Sequence, residues 1–410
     1  MSGARFSPTQ IDFGPVIDFK KRLLERAWRN FRAGRAAALK SAFESFRRDQ
    51  ESWLPDYALF MALKDRHDGD SWQKWSNDLR MRKTAALDKA RADLAEEIGR
   101  HAFAQFLFFR QWKTVRDYAH SRGVKIIGDI PIFVAGDSSD VWASPQLFQL
   151  DADRRPKVVA GVPPDYFNAD GQLWGNPLYD WKALQGTDFA WWRKRLRATL
   201  GMVDLVRLDH FRGFESYWEI PADSVTARIG RWVPGPGAAL LKSLRADLGP
   251  LPIIAEDLGV ITPAVDALRR EFDLPGMRVL QFAFGGDFRS PYLPHNYVAD
   301  TVVYTGTHDN DTCQGWYQTA DEATRDHVRR YLARDGSDIA WDLTRAAWSS
   351  VAELAIAPLQ DLLNLGNDAR MNFPGKPQGN WGWRFENHQL NAWTLSRLAD
   401  LTWLYQRARA

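Results

Sequence analysis

From residue 123 onward, short apolar segments alternate with amphipathic segments of helical periodicity. Strands that alternate with helices in this way form a parallel sheet, because each helix returns the chain to the same end of the next strand. This alternation restricts the chain to an α/β architecture. The apolar segments are 124–133, 202–209, 252–256, 277–284, 301–308 and 354–363, and amphipathic segments such as 191–200, 238–247 and 263–272 lie between them.

The first 122 residues lack this alternation and read as helical. Apolar side chains recur at helical spacing over 18–50 and 83–120, and a short aromatic helix begins at Trp53 between them. Gly123 then follows in the position of a helix-terminating glycine.

The chain is also longer than one simple core allows. Its 410 residues exceed the roughly 250–300 at which a single hydrophobic core stops growing. We therefore expect either two domains or one barrel with large insertions. In the second case the helical residues 1–122 form a subdomain inserted in the barrel, whose remaining portion covers 123–410. The connection over 135–181 is longer than a structureless loop usually is, and such loops are commonly functional.

Charge and cysteine content exclude several classes of protein. Lysine and arginine number 54 against 51 aspartates and glutamates, and the two signs are interleaved, which argues against nucleic-acid and membrane partners. Cys313 is the one cysteine, so neither a disulfide framework nor a CxxC metal site is available. No HExxH, His/Cys cluster or nucleotide-binding glycine motif occurs, so we expect no metal and no cofactor. Residues 1–16 have no signal-peptide character and no apolar run is long enough for a membrane span, which predicts a cytoplasmic protein.

Four apolar segments carry a carboxylate at or near their ends: Asp129, Asp209, Glu256 and Asp309. Such a residue is as often the N-cap of the next helix as a functional group, but capping does not readily explain four successive segments. In a (β/α)8 TIM barrel the active site lies at the carboxyl ends of the strands and draws its residues from several of them. We therefore predict this barrel, with helical insertions, and an acidic site at its strand ends.

Cleavage of a glycosidic bond suits this pattern, because it needs one ionised carboxylate as nucleophile and one protonated carboxyl group as acid. Arg207 lies two residues before Asp209 and hence on the same face of the strand, where its charge favours the ionised carboxylate. Glu256 follows an apolar run, which predicts a raised pKa. The adjacent Asp257 leaves open which of the two side chains points into the site.

Aromatic residues in glycine- and proline-rich stretches point to a sugar ligand. The chain has 19 tryptophans, and rings in polar surface loops suit a flat, half-apolar ligand better than a core. The alternative is that these rings are structural. The stretches contain Tyr166, Phe167, Trp174, Tyr179, Trp181, Trp381 and Trp383.

Several long motifs resemble the 4-α-glucanotransferase family, also called amylomaltase or disproportionating enzyme. Three of them hold Asp209, Glu256 and Asp309: RLDHFRGF at 207–214, IIAEDLG at 253–259 and YTGTHDNDT at 304–312. Three more are GDIPIFVAGDSSDVW at 128–142, AGVPPDYFNADGQLWGNPLYDW at 160–181 and QDLLNLGNDARMNFPGKPQGNWGWR at 360–384. The resemblance implies an α-amylase-like barrel, with 123–410 as its catalytic portion and 135–181 as the donor-site loop.

The resemblance also implies roles for individual residues. Asp209 is expected to be the nucleophile, Glu256 the acid/base and Asp309 the stabiliser of the strained sugar. The substrates implied are maltooligosaccharides and α-1,4-glucans, and the covalent intermediate is released by the 4-hydroxyl of another glucan. The expected sugar-binding residues are Arg207 and His308 at the same ring, Asp129 in a neighbouring subsite, Tyr166, Phe167 and Trp174 in a lid-like loop, and Asn380 on the acceptor side. His210 is expected to be structural, because strand alternation turns it away from the site.

The family normally begins with two further βα units that carry motifs not found here. The first strand recognised resembles the third of the barrel, so we expect an N-terminally incomplete barrel with its third to eighth strands. Two other activities stay open on sequence grounds. One is an α-amylase-type glucan hydrolase, and the other is an inactive, truncated glucan-binding remnant.

Overall fold

The computed structural model describes residues 5–164 and 168–408, which fall into two compact units. Lys20–Phe272 form one, hereafter the N-terminal unit. The described residues of Met1–Phe19 and Asp273–Ala410 form the other, hereafter the C-terminal unit. The predicted division at residue 122 follows the sequence pattern and stays a prediction.

Helices dominate the first 122 residues, as predicted, but the two long helices are each divided. Gly34 has φ of 77° and turns the chain within the segment 18–50. Leu94 separates two helices within the segment 83–120. Gly123, with φ of 69°, ends the last of them in the predicted left-handed conformation. The helices are Phe13–Arg32, Lys40–Asp49, Leu54–Arg66, Asn77–Arg80, Thr84–Asp93 and Ala95–Ser121.

An aromatic core joins four of these helices, which are Phe13–Arg32, Lys40–Asp49, Leu54–Arg66 and Ala95–Ser121. Phe103 lies at its centre with only 2% of its surface exposed, and its ring is 4.6 Å from that of Phe31 and 5.5 Å from those of Trp28 and Phe43. Stacked and edge-to-face pairs of this kind add to the free energy gained by burying the rings.

The N-terminal unit contains three of the parallel strands that the alternating pattern predicts. They are β1 (Ile127–Ile130), β4 (Leu205–Leu208) and β7 (Ile253–Ala255), and β4 pairs with the other two. The strands are short, and the residues of β4 and β7 are mostly buried, as is usual for a parallel sheet covered on both faces. The later helices of this unit are Ser139–Ala143, Trp181–Gly186, Ala190–Leu200, Gly237–Leu248 and Pro263–Glu271.

A four-stranded antiparallel sheet in the same unit was not predicted. Its strands are β2 (Val158–Val162), β3 (Gln172–Pro177), β5 (Ser216–Pro221) and β6 (Arg231–Pro234), in the order β3-β2-β5-β6. The connection over 135–181 is therefore partly ordered into strands rather than a plain loop. The sequence did not predict this sheet, because β3 and β6 are largely exposed and their apolar residues do not alternate with polar ones.

The C-terminal unit contains the other three predicted strands, also parallel. They are β8 (Gly276–Val279), β9 (Thr301–Tyr304) and β10 (Leu354–Ile356), and β9 pairs with both neighbours. Helix Ile339–Trp348 is buried along most of its length and packs into the hydrophobic core of this unit. The remaining helices are Cys313–Thr319, Glu322–Leu332, Leu359–Leu362 and Ala392–Leu404.

Within residues 5–164 and 168–408, no helix combines the length and the apolar character that a membrane span requires.

Replacing Phe103 with alanine should lower the free energy of unfolding by about 3–5 kcal/mol, because it leaves a cavity among three other rings. Chemical denaturation monitored by circular dichroism measures this change. Phe108→Ala in the same helix is the matched control, since its ring is 47% exposed and its loss should cost less than about 1 kcal/mol. Equal effects of the two substitutions would contradict the aromatic core described here.

Candidate active site

The register of the parallel strands brings functional side chains to one edge of the sheet in the N-terminal unit. Asp129 of β1 lies opposite Arg207 of β4, and Leu208 of β4 lies opposite Ala255 of β7. The next residues along β4 and β7 are Asp209 and Glu256. The carboxyl ends of the three strands therefore present three carboxylates at the same edge.

Arg207 connects two of these carboxylates. Its Nη1 donates to Asp129 Oδ2 at 2.7 Å, and its Nη2 lies 2.9 Å from Asp209 Oδ1. The contact with Asp209 is the one predicted from their spacing. Burial opposes the charge of Arg207, whose side chain is 10% exposed, but the carboxylates around it outweigh burial and raise the pKa of the guanidinium. The cation is thus permanent, and it lies within ion-pair distance of both carboxylates.

The surroundings of Glu256, in contrast, favour the protonated form of its carboxyl group. Protein surrounds its carboxyl group closely although part of the side chain reaches the surface, and this burial, reinforced by the charge of Asp209, raises the pKa of Glu256 to about 7. Arg207 and two backbone N–H groups oppose the shift without cancelling it. The N–H of His210 donates to Oε2 at 2.8 Å and that of Leu258 to Oε1 at 3.0 Å. The predicted direction of the pKa shift is confirmed, so Glu256 can carry a proton near neutral pH.

The structure also distinguishes Glu256 from its neighbour. Asp257 is buried, with 5% of its surface exposed, and its Oδ2 lies 3.6 Å from Nε of Arg269 in the helix Pro263–Glu271. The two side chains thus leave the strand end in different directions, and the one in contact with the residues after β4 is Glu256.

None of the four strand-end carboxylates caps a helix. The first helices that follow Asp129, Glu256 and Asp309 in the chain are capped by Ser138, Thr262 and Thr312. Asp209 is followed by a short 3₁₀ turn whose N-cap residue is His210. The capping explanation is therefore wrong for these residues.

His210 takes part in the site in a way that strand alternation did not reveal. It has φ of 52°, which points its N–H at Glu256, and its ring lies 4.9 Å from that of Trp174 in an edge-to-face arrangement. Burial, with a contribution from the charge of Arg212, lowers the pKa of His210 to about 3, so the ring is neutral. The side chain packs against Trp174 and its structural role stays a prediction, whereas the backbone supports Glu256. No sequence signal marks the left-handed conformation of a histidine.

Asp309 belongs to the C-terminal unit, in the loop between β9 and helix Cys313–Thr319. Its Oδ1 accepts a hydrogen bond from Asn372 Nδ2 at 2.6 Å, and His308 Nε2 lies 3.5 Å from the same oxygen. Arg370 donates to the backbone carbonyl of Asp309 and to the carboxylate of Asp311. Sequence reasoning did not single out Arg370 and Asn372, although both lie within the motif at 360–384.

Aromatic residues divide into exposed and buried sets. Trp174 is 36% exposed, and Trp381 is 46% exposed with its ring 5.3 Å from that of His308. Tyr179, by contrast, is 1% exposed and donates its hydroxyl to the carbonyl of Ile132, so the sugar-binding interpretation is wrong for this ring.

Three further residues were predicted to bind sugar: Asn380, Tyr166 and Phe167. Asn380 uses its side chain within its own loop, accepting from the N–H of Phe373 at 2.9 Å and donating to the carbonyl of Lys376 at 2.8 Å. Tyr166 and Phe167 lie outside the described residues. Among the residues that are described, no three or more histidines, cysteines, aspartates or glutamates are grouped so that they could hold a metal ion.

Comparison with known proteins gives concordant matches. A family model described as 4-alpha-glucanotransferase matches residues 2–390. The 4-alpha-glucanotransferase of Synechocystis sp. is 50% identical over 406 residues, which cover 98% of this chain and 80% of that protein. The 4-alpha-glucanotransferase of Thermus thermophilus is 51% identical over 387 residues, covering 92% of this chain and 77% of that protein.

A solved structure extends the similarity to the fold. The amylomaltase from Streptococcus agalactiae in complex with acarbose is 36% identical and superposes with a TM-score of 0.95, over 99% of this chain and 82% of that one. The predicted fold class, a (β/α)8 barrel, is confirmed by this match.

Asp209→Asn should lower the pKa of Glu256 from about 7, because the charge of Asp209 is one of the causes that raise it. Titration of δ-¹³C-labelled glutamate by NMR, with the Glu256 signal assigned from its absence in Glu256→Gln, measures the change. Asp129→Asn is the control, since it removes a carboxylate from the same Arg207 that is not among the causes of the shift. An unchanged pKa in Asp209→Asn, or an equal fall in the control, would contradict this electrostatic arrangement.

Proposed function

The chain belongs to the 4-alpha-glucanotransferase family, and on that premise we propose that it moves α-1,4-glucan segments between maltooligosaccharides by a retaining double displacement. The observation that carries the proposal is the pairing of two unlike carboxyl groups at neighbouring strand ends. Asp209 is held beside the cation of Arg207, while burial raises the pKa of Glu256 to about 7. A nucleophile and an acid need these opposite states at the same pH.

In the first step Asp209 attacks the anomeric carbon of the donor sugar and Glu256 protonates the departing glycosidic oxygen. The bond between the two sugars breaks, a bond between Asp209 and the anomeric carbon forms, and the shortened glucan leaves with the proton of Glu256. In the second step Glu256, now ionised, removes the proton from the 4-hydroxyl of an acceptor glucan. That oxygen then attacks the anomeric carbon and releases Asp209, so the original configuration is restored.

Arg207 and Asp129 support the nucleophile in this proposal. The guanidinium keeps Asp209 ionised and limits its rotation, because it donates to Asp129 at the same time. Asp129 is 43% exposed, which leaves it free to meet a hydroxyl in the neighbouring subsite.

Asp309 and His308 are proposed to bind hydroxyls of the strained sugar. The family resemblance assigns this role, and its physical support is that the Asp309 side chain is 39% exposed while one of its oxygens is already fixed by Asn372. Hydrogen bonds that strengthen as the ring distorts lower the barrier rather than merely tighten binding.

The aromatic side chains are proposed to form the walls of the glucan site. Trp174 offers an exposed ring supported by His210, and the expected lid residues Tyr166 and Phe167 lie in the same segment of sequence. Asn380 is proposed to act on the acceptor side. The Streptococcus agalactiae amylomaltase is solved with acarbose, and we propose that this chain likewise binds oligosaccharides. The cytoplasmic location stays a prediction.

Asp209→Asn should reduce the disproportionation of maltotriose by roughly three orders of magnitude or more, because an amide is too weak a nucleophile to form the intermediate. The rate of glucose release measures it, and an unchanged melting temperature shows that the fold is intact. Asp188→Asn is the control, since this exposed carboxylate pairs with Arg193 at the surface and should leave the rate unaltered. Activity within a few-fold of the unmodified protein would rule out Asp209 as the nucleophile.

The products of maltotriose separate a transferase from a hydrolase. We expect free glucose together with longer α-1,4-glucans and little net gain in reducing ends, because the intermediate is released by a sugar hydroxyl instead of water. Chromatography of the glucans combined with a reducing-end assay measures both quantities. Reducing ends that rise without longer products would indicate the hydrolase, and no turnover at all would indicate a glucan-binding remnant.

A further inference from the structure

Asp309 depends on contacts from outside its own element. It lies in the loop between β9, which ends at Tyr304, and the helix that begins at Cys313, and its side chain is 39% exposed. Within the loop, its own N–H donates to the hydroxyl oxygen of Thr307 at 3.3 Å. A carboxylate in such a loop needs a second segment to fix its orientation.

Asn372 supplies that orientation through its side chain and its backbone. Its Nδ2 donates to Asp309 Oδ1 at 2.6 Å, and its N–H donates to the carbonyl of His308 at 3.1 Å. The two bonds hold the peptide before Asp309 and the carboxylate itself. Rotation of the carboxylate would break the shorter of them.

Arg370 in turn holds Asn372. Its Nε donates to the carbonyl of Asn372 at 2.8 Å, and its terminal nitrogens donate to the carbonyl of Asp309 and the carboxylate of Asp311. The guanidinium lies 4.3 Å from the ring centre of Phe373, which limits its movement further. The segment 370–372 is therefore hydrogen-bonded to the loop at several points.

The two ends of the loop are anchored separately by a buried carboxylate. Asp361, 1% exposed, accepts from the hydroxyl of Thr305 at 2.7 Å and from the N–H of Cys313 at 2.8 Å. Because Asp361 fixes the ends, the remaining freedom of the loop lies in its middle, where Asn372 makes its contacts.

We propose that Asn372 is a positioning residue for the transfer reaction, which it serves by holding the carboxylate of Asp309 in the orientation that meets the strained sugar. Arg370 serves the same end by fixing Asn372. The inference rests on the role proposed for Asp309. Asn372 acts through that carboxylate and is not itself a catalytic residue.

The test is a double-mutant cycle of Asn372→Ala and Asp309→Ala, measured with an α-maltosyl fluoride donor, whose good leaving group keeps weak variants measurable. Asn372→Ala alone should lower kcat by about 100-fold with little change in KM, since small misplacements at a reacting sugar cost about that much. In the Asp309→Ala background the same substitution should have no further effect, because its target is gone. Additive losses would overturn the inference.

Two further variants separate orientation from packing. Asn372→Leu keeps a similar volume but removes the donor, so it should be about as damaging as alanine if the hydrogen bond matters, and harmless if Asn372 only fills space. Asn296→Ala is the matched control, since this asparagine donates its Nδ2 to the carbonyls of Phe288 and Ser290 at 2.8 and 2.9 Å, in a different loop from Asp309. Its effect on kcat should be small and equal in the unmodified and Asp309→Ala backgrounds.

The outcomes also separate this inference from the proposed function. Full activity in Asp309→Ala would show that the role of Asp309 is wrong. A severe loss in Asp309→Ala together with normal kcat in Asn372→Ala would leave that role intact and overturn the inference alone.

Discussion

One guanidinium, that of Arg207, faces carboxylates on two neighbouring strands, and much of the site depends on it. A cation that is only 10% exposed must be paired, because the free energy of desolvating it is otherwise uncompensated. The pairing requires β1 and β4 to be parallel and in their observed register, since a slip by one residue would turn Arg207 and Asp209 to the opposite face of the sheet. The same register places the chain after β4 against the carboxyl group of Glu256.

Features governed by local rules were predictable from the sequence. The six parallel strands follow from apolar segments separated by helices, and the contact of Arg207 with Asp209 follows from the two-residue period of a strand. The direction of the pKa shift of Glu256 was also predicted, from the apolar run that precedes it, although burial and the charge of the distant Asp209 cause the shift. The strands and the contact of Arg207 with Asp209 depend on neighbours in the chain, which the sequence shows directly.

Features governed by distant partners were not predictable. The antiparallel sheet pairs β2 with β5, more than fifty residues apart, and its exposed strands carry no apolar period. The different directions of Glu256 and Asp257 are set by Arg269, and the support of Asp309 comes from Asn372, some sixty residues further along. The left-handed conformation of His210 likewise could not be predicted from the sequence, because histidine does not require it.

Glu256 and Asp309 receive their hydrogen bonds from different kinds of chemical group. Glu256 receives its hydrogen bonds from the backbone amides of His210 and Leu258, whereas Asp309 receives one from the side chain of Asn372. Every amino acid except proline supplies a backbone N–H, so the hydrogen bonds to Glu256 can survive substitution of the residues that donate them. A single substitution of Asn372 removes its hydrogen bond to Asp309. Laboratory evolution of this protein therefore has more latitude at positions 210 and 258, whose backbone amides support Glu256, than at Asn372.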